Sequence, residues 1–163
     1  MWRVRIIKSG IVAVGLVAGL WFATARAGGS RATAAPTGAP AIVVYKTPTC
    51  GCCTKWIRHL EQAGFVVTAH DTANVAPIKR RHGVPAALES CHTAMVGGYV
   101  VEGHVPADVI QRLLRERPAV AGIAVPGMPA GSPGMEGLPG PARQPYNVLA
   151  FRAEGGWSVY ERR

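Results

Sequence analysis

Ile42-Val43-Val44-Tyr45-Lys46-Thr47-Pro48-Thr49-Cys50-Gly51-Cys52-Cys53-Thr54-Lys55-Trp56 is the stretch on which the fold turns. Its first four residues form a short continuous apolar run, the pattern of a strand buried on both faces. Three of the chain's four cysteines then fall within four positions. From there Cys53, Trp56, Ile57, Leu60 and Ala63 recur at helical spacing, with Lys55, Arg58, His59, Glu61 and Gln62 on the other face. Gly64 suits the position just past a helix end. Phe65-Val66-Val67 then makes a second strand. A strand–helix–strand unit implies parallel pairing through a right-handed crossover. The cysteines therefore sit at a helix N-terminus, where the dipole and free N–H groups favour the thiolate.

Downstream, a second helix is expected over 75–82, ended by Gly83. Residues 92–96, the pair Gly97-Gly98 and Tyr99-Val100-Val101-Glu102 read as a hairpin with a two-residue turn. A third helix begins near Pro106, buries Val109, Ile110, Leu113 and Leu114, sets Arg112, Arg115 and Arg117 toward its negative end, and stops at Pro118. The order strand, helix, strand, helix, hairpin, helix predicts an α/β domain with a thioredoxin-like mixed sheet flanked by helices. Residues 124–145 are crowded with Gly and Pro and carry Met128 and Met135, so an ordered loop laid over the domain surface is expected. Gly131, Gly134, Gly137 and Gly140 keep a three-residue period that is far too short for a triple helix. Residues 146–151 and 157–160 read as two extra closing strands around Glu154-Gly155-Gly156.

The N-terminal segment has a different character. Arg3, Arg5 and Lys8 precede an apolar run over 11–23, and Ala25-Arg26-Ala27 offers a small-x-small cleavage pattern. Residues 1–27 are thus expected to be a secretory signal and 28–40 a flexible leader, with the domain occupying 41–163. The full chain carries 18 Lys and Arg against 9 Asp and Glu, a net +9. Without Arg3, Arg5, Lys8 and Arg26 the balance is 14 against 9, or +5. The remaining bases are scattered, and the run Lys79-Arg80-Arg81 reads as a solvated helix end. No basic face with interleaved aromatics invites nucleic acid. An exported chain meets an oxidising compartment, where four cysteines pair unless a metal or reductant protects them.

Two chemistries compete for the cysteine loop, with structural disulfides as the third option. Cys50 and Cys53 have the C-x-x-C spacing of a redox dithiol. Cys52 complicates that reading, because a third thiol competes for the disulfide. Closely spaced thiolates can instead bridge soft metal ions, which favours Cu(I), with zinc as the main rival. In a thioredoxin-like domain the turn before the third strand faces the cysteine loop, and here it reads Ser90-Cys91-His92-Thr93. Cys91 would add a fourth thiol. His104, at the end of the hairpin, would lie on the same side; His92 is the weaker candidate, because its neighbour is expected to take the inward direction. Met128 and Met135 offer thioethers suited to Cu(I). His59, His70 and His82 read as surface or capping residues. No nucleophile elbow, phosphate loop or convincing carboxylate pair is present.

The pattern as a whole resembles the bacterial CopG-type copper-resistance family, long described as a domain of unknown function. The resemblance lies in Val44-Tyr45-Lys46-Thr47-Pro48-Thr49-Cys50-Gly51-Cys52-Cys53, in Ser90-Cys91-His92-Thr93, and in Gly97-Gly98-Tyr99-Val100-Val101-Glu102-Gly103-His104-Val105-Pro106. It extends to Ala124-Val125-Pro126-Gly127-Met128-Pro129-Ala130-Gly131-Ser132-Pro133-Gly134-Met135. It implies a periplasmic, thioredoxin-like protein whose Cys50, Cys52, Cys53 and Cys91 hold a multinuclear copper centre, Cu(I) with more than one ion per chain. His104, Met128 and Met135 are the implied additional ligands. The implied roles are copper sequestration, delivery to an exporter or another periplasmic copper protein, or Cu(I)/Cu(II) conversion. A thiol–disulfide oxidoreductase using Cys50 and Cys53 is the alternative.

Overall fold

A computed structural model of the chain describes residues 38–137 and 143–163. The expected signal, most of the leader, and residues 138–142 of the Gly/Pro loop lie outside the described residues. The elements are β1 (Ala41–Lys46), α1 (Gly51–Gln62), β2 (Val66–Asp71), α2 (Ala76–Arg81), β3 (Thr93–Val96), β4 (Tyr99–Glu102), α3 (Ala107–Glu116), β5 (Gly122–Ala124), β6 (Asn147–Phe151) and β7 (Trp157–Arg162). A 3-10 turn at Ala86–Leu88 links α2 to β3. The strands form one mixed seven-stranded sheet in the order β2-β1-β3-β4-β5-β6-β7.

Pairing follows from the connections. α1 carries the chain from β1 to its parallel neighbour β2, with Ala41 opposite Val66 and Lys46 opposite Asp71. β3 runs antiparallel to β1, and the Gly97-Gly98 turn folds β4 back onto β3 with Val96 opposite Tyr99. α3 is a second crossover, to β5, which pairs parallel with β4. β5 had no signal in the sequence, since Gly122-Ile123-Ala124 is too short to display a period. β6 and β7 close the sheet antiparallel, with a bulge at Val148/Leu149.

Three local expectations change. β2 begins one residue after Phe65 and runs on to Asp71, because pairing with β1 rather than hydrophobicity defines it; most of it is exposed. β1 alternates, with Ile42 and Val44 fully buried while Val43 and Tyr45 are half-buried, so one of its faces is only partly covered. Lys79 is not part of a solvated helix end: it is 3% exposed and ion-paired with the fully buried Glu102, while Arg80 and Arg81 face solvent.

Two apolar clusters flank the sheet. The larger joins Ile42, Val44, Ala94, Val101, Ile123 and Val148 to Trp56 and Leu60 of α1 and to Val109, Ile110 and Leu113 of α3. The smaller joins Val100, Ala124 and Phe151 to Val84 and Leu88 beyond α2. Strand alternation explains the division, since Val100 and Val101 point to opposite faces. Burying side chains of this size contributes about 1.5–3 kcal/mol each. Arg112 leaves the helix dipole for β7, pairing with Glu161 at 2.7 Å and lying over the Tyr160 ring at 4.4 Å. No helix among the described residues is long and apolar enough to cross a membrane.

Candidate metal centre

The centre forms where the N-terminus of α1 meets the turn before β3. Cys50 is the N-cap of α1: its sulfur accepts from the Cys53 N–H at 3.3 Å, and its carbonyl accepts from the Thr54 N–H at 3.2 Å. This places the Cys52 sulfur 3.4 Å from that of Cys50. Cys91 reaches across from its turn, 3.9 Å from the Cys52 sulfur and 3.6 Å from that of Cys53. All four sulfurs lie within 4.8 Å of one another. Cys50 and Cys53 are joined by a disulfide, whereas Cys52 and Cys91 are free thiols.

Imidazoles line the inner side. The Nε2 atom of His104 stands 3.0 Å from the Cys91 sulfur, and its Nδ1 is 2.8 Å from the Pro133 carbonyl oxygen. A carbonyl only accepts, so Nδ1 carries the proton and Nε2 presents a lone pair to the sulfur. That is the arrangement by which a backbone acceptor orients a metal-binding histidine. His92 is also present, its Nδ1 3.3 Å from the Cys91 sulfur. Its ring packs 4.3 Å from that of Trp56 and edge-on to His104 at 5.0 Å, centroid to centroid. Its Nε2 is buried and, among the described residues, has no hydrogen-bond partner. Trp56 is locked in turn by its indole N–H, which donates to the Val105 carbonyl at 2.8 Å.

The electrostatics keep these groups neutral. Burial holds His92 well below the ordinary histidine range, with His104 and Lys79 adding to the shift. Burial likewise lowers His104, against the opposing Pro133 bond and Glu136 charge. The Cys91 thiol is pushed up to about 12 by burial and by the neighbouring Cys52. Neutral imidazoles are the metal-binding form, and a thiol raised this far gives up its proton most readily when a cation replaces it.

Of the residues singled out in the sequence, the structure gathers Cys50, Cys52, Cys53, Cys91 and His104. Met135 is 4% exposed, in the loop that presses on α1. In that loop a Cβ on Gly134 would stand 2.7 Å from the Cys52 carbonyl oxygen and 2.9 Å from the Trp56 nitrogen. Met128 is 53% exposed, in a segment tied to the Cys91 turn by the Ser90 hydroxyl, which donates to the Gly127 carbonyl at 2.5 Å. His92 is nearer the centre than its sequence position promised. Side-chain alternation would have sent it away from Cys91, but β3 starts only at Thr93, so the strand rule does not govern the turn. His59 is a capping residue as expected, accepting from the Ala107 N–H at 3.0 Å.

Residues 88–135 match a family model described as a protein of unknown function, DUF411. No curated protein matches the chain. A solved structure named copper resistance protein CopG, form 2, is 47% identical, covers 77% of this chain and 98% of its own, and superposes with a TM-score of 0.71. This chain belongs to the CopG family. A second CopG structure, form 1, is also 47% identical, covering 76% of this chain and 96% of its own, with a TM-score of 0.69. The family-model match begins before the Cys91 turn and ends at Met135, so it takes in Cys91, His92, His104 and both loop methionines but not the cysteine loop. As a set of metal donors, clustered sulfur with neutral imidazole suits a soft transition metal and not a hard, oxygen-seeking cation. His92, through the Nδ1 beside the Cys91 sulfur, places a second imidazole next to that set.

Proposed function

We propose that this chain is an exported, periplasmic copper-binding protein of copper resistance, its domain at 41–163 built on a thioredoxin-like mixed sheet. Cys50, Cys52, Cys53 and Cys91 would hold more than one Cu(I) ion, with His104 as the imidazole ligand and Met128 and Met135 as thioether ligands. The observation that carries this reading is the convergence of four sulfurs within 4.8 Å against the unprotonated Nε2 of His104. Four thiols are available only after the Cys50–Cys53 disulfide takes up two electrons and two protons from a dithiol reductant. Each thiol that then binds copper releases one proton. Sequestration, transfer to an exporter or another periplasmic copper protein, and Cu(I)/Cu(II) conversion all use this loaded state.

The Cys50–Cys53 bond also favours a second reading, a thiol–disulfide oxidoreductase with Cys50 as the attacking thiol. Anaerobic reduction followed by Cu(I) titration against a chromogenic chelator separates the two. The copper reading expects more than one ion per chain and a lower stoichiometry in Cys52→Ser. Efficient insulin reduction that survives Cys52→Ser and Cys91→Ser, without copper uptake by the parent, would replace it with the second reading. Export is tested by N-terminal sequencing of the periplasmic protein, which should begin at Gly28.

A further inference from the structure

We propose that Lys79 and Glu102 are positioning residues for the metal centre: their buried pair holds the Ser90 N–H on one side of Cys91-His92 and the Thr93 hydroxyl on the other, and so aims that dipeptide at the cysteine loop. The metal it serves rests on the copper reading above; the grip itself does not. Glu102 is fully buried at the end of β4, and Lys79 is 3% exposed on α2, on the sheet face away from α1. Burying two opposite charges costs so much desolvation that an apolar pair of similar size is often at least as stable. Stability alone therefore does not account for them.

The hydrogen bonds supply the account. Oε1 of Glu102 accepts from the Ser90 N–H at 2.6 Å and from the Lys79 ammonium. Oε2 accepts from the Thr93 hydroxyl at 2.7 Å, and Lys79 Nζ donates to that same hydroxyl oxygen at 3.0 Å. Ser90 and Thr93 bracket Cys91-His92, so one carboxylate pins the dipeptide at both ends. The Gly103 N–H closes a third side, donating to the His92 carbonyl at 3.1 Å. Packing there is tight: Gly103 has φ +71°, and a Cβ on it would meet the Val125 carbonyl oxygen at 2.5 Å and Ser90 Cβ at 2.6 Å. Cys91-His92 lie ahead of the β3 ladder, so the Glu102 bonds, together with the Gly103 N–H and the Ser90 hydroxyl bond to Gly127, set where the Cys91 sulfur stands against Cys52, Cys53 and His104.

Two double variants test the grip, each removing both charges together so that no lone charge stays buried. Lys79→Met with Glu102→Gln keeps an acceptor for the Ser90 N–H; Lys79→Met with Glu102→Leu removes it. The readouts are Cu(I) affinity of the reduced protein, the sulfur-to-copper charge-transfer spectrum, and alkylation of Cys91 in the metal-free protein. The Leu pair should weaken Cu(I) binding by about 10–100-fold and change the spectrum, as loss of an outer-shell partner does. It should also speed Cys91 alkylation by about tenfold, since a displaced thiol is more accessible. The Gln pair should stay near wild type in all three. A Leu pair that matches wild type, or a Gln pair that falls as far as the Leu pair, overturns the proposal. Should the Leu pair not fold, amide exchange in the wild type decides: the Ser90 N–H must exchange about 100-fold slower than an exposed loop amide, and free exchange overturns it. A wild type that takes up no Cu(I) sinks the copper reading alone, because alkylation and exchange still measure the grip.

Discussion

The thiol side of the centre and its imidazole side are built in opposite ways. Cys50, Cys52 and Cys53 come from one turn at the start of α1, and Cys50 and Cys52 stay half-exposed. His92 and His104 come from either end of the β3–β4 hairpin, are fully buried, and depend on Pro133 and Trp56 from other parts of the chain. The thiol side is local, open and able to change covalent state. The imidazole side is assembled by the tertiary fold and has no comparable freedom. The site thus combines a reactive half with a fixed half, and among the described residues Cys91 is the thiol that reaches both.

The largest effect should therefore follow from Cys91→Ser. Serine keeps the size of the side chain but replaces a soft thiolate with a hydroxyl that stays protonated. Because Cys91 is only half-buried, the fold should survive. Copper stoichiometry should drop and the affinity of what remains should fall by more than about 100-fold, beyond the loss typical of an outer-shell residue. Cu(I) competition titration measures both. Retention of the full stoichiometry would mean that the two sides act as independent sites and that Cys91 does not join them.

The same contrast decides how much could be read from the sequence. The thiol side was legible because its whole geometry is local: a strand, a turn and an N-cap fall within fifteen consecutive residues, and the helical spacing from Cys53 to Leu60 fixes which way each points. Cys91 and His104 were legible only through the order of elements, which places their turn opposite the cysteine loop. The side-chain direction of His92 was not legible, because strand alternation governs only from Thr93 onward. Lys79 and Glu102 were not legible as a pair at all. Each looks like an ordinary surface charge until α2 is folded onto the sheet and brings them together across 23 positions. β5 was missed because three residues carry no period, and its place comes from pairing with β4 and β6.

Gly134→Ala probes how the fixed half is held and should have an intermediate effect. Gly134 has φ +85°, and a Cβ there would run into the Cys52 carbonyl and the Trp56 backbone nitrogen, so neither the torsion nor the space admits a side chain. The variant should lose about 1–3 kcal/mol of stability, the cost of a strained backbone position. Its loop should also lift from α1, taking the Pro133 carbonyl away from His104. Urea unfolding measures the first effect. The second is read from the His104 Nδ1–H resonance, which should be slow to exchange in the parent and lost in the variant. A variant with an unchanged resonance would show that His104 is oriented without the loop.

His59, half-buried, offers the smallest effect and the sharpest control on what would make a histidine a ligand. Like His104 it is neutral, held below the ordinary histidine range by burial against the opposing charges of Glu136 and Asp108. Unlike His104 it spends its Nε2 lone pair on the Ala107 N–H, at the start of α3, and so has nothing to offer a metal through that atom. A folded-state value below the unfolded one means that the unfolded chain binds more protons below about pH 6.5, so stability is present above that pH and falls as the solution is acidified. His59→Gln keeps an acceptor and does not titrate. Its unfolding midpoint should decline less than that of the parent between pH 7 and 5. Some decline should remain, because His92 and His104 are depressed in the same direction. Copper uptake at pH 7 should be unchanged. If His59→Gln instead lowers copper stoichiometry, a backbone-satisfied imidazole can still serve the centre, and the distinction drawn between the two histidines fails.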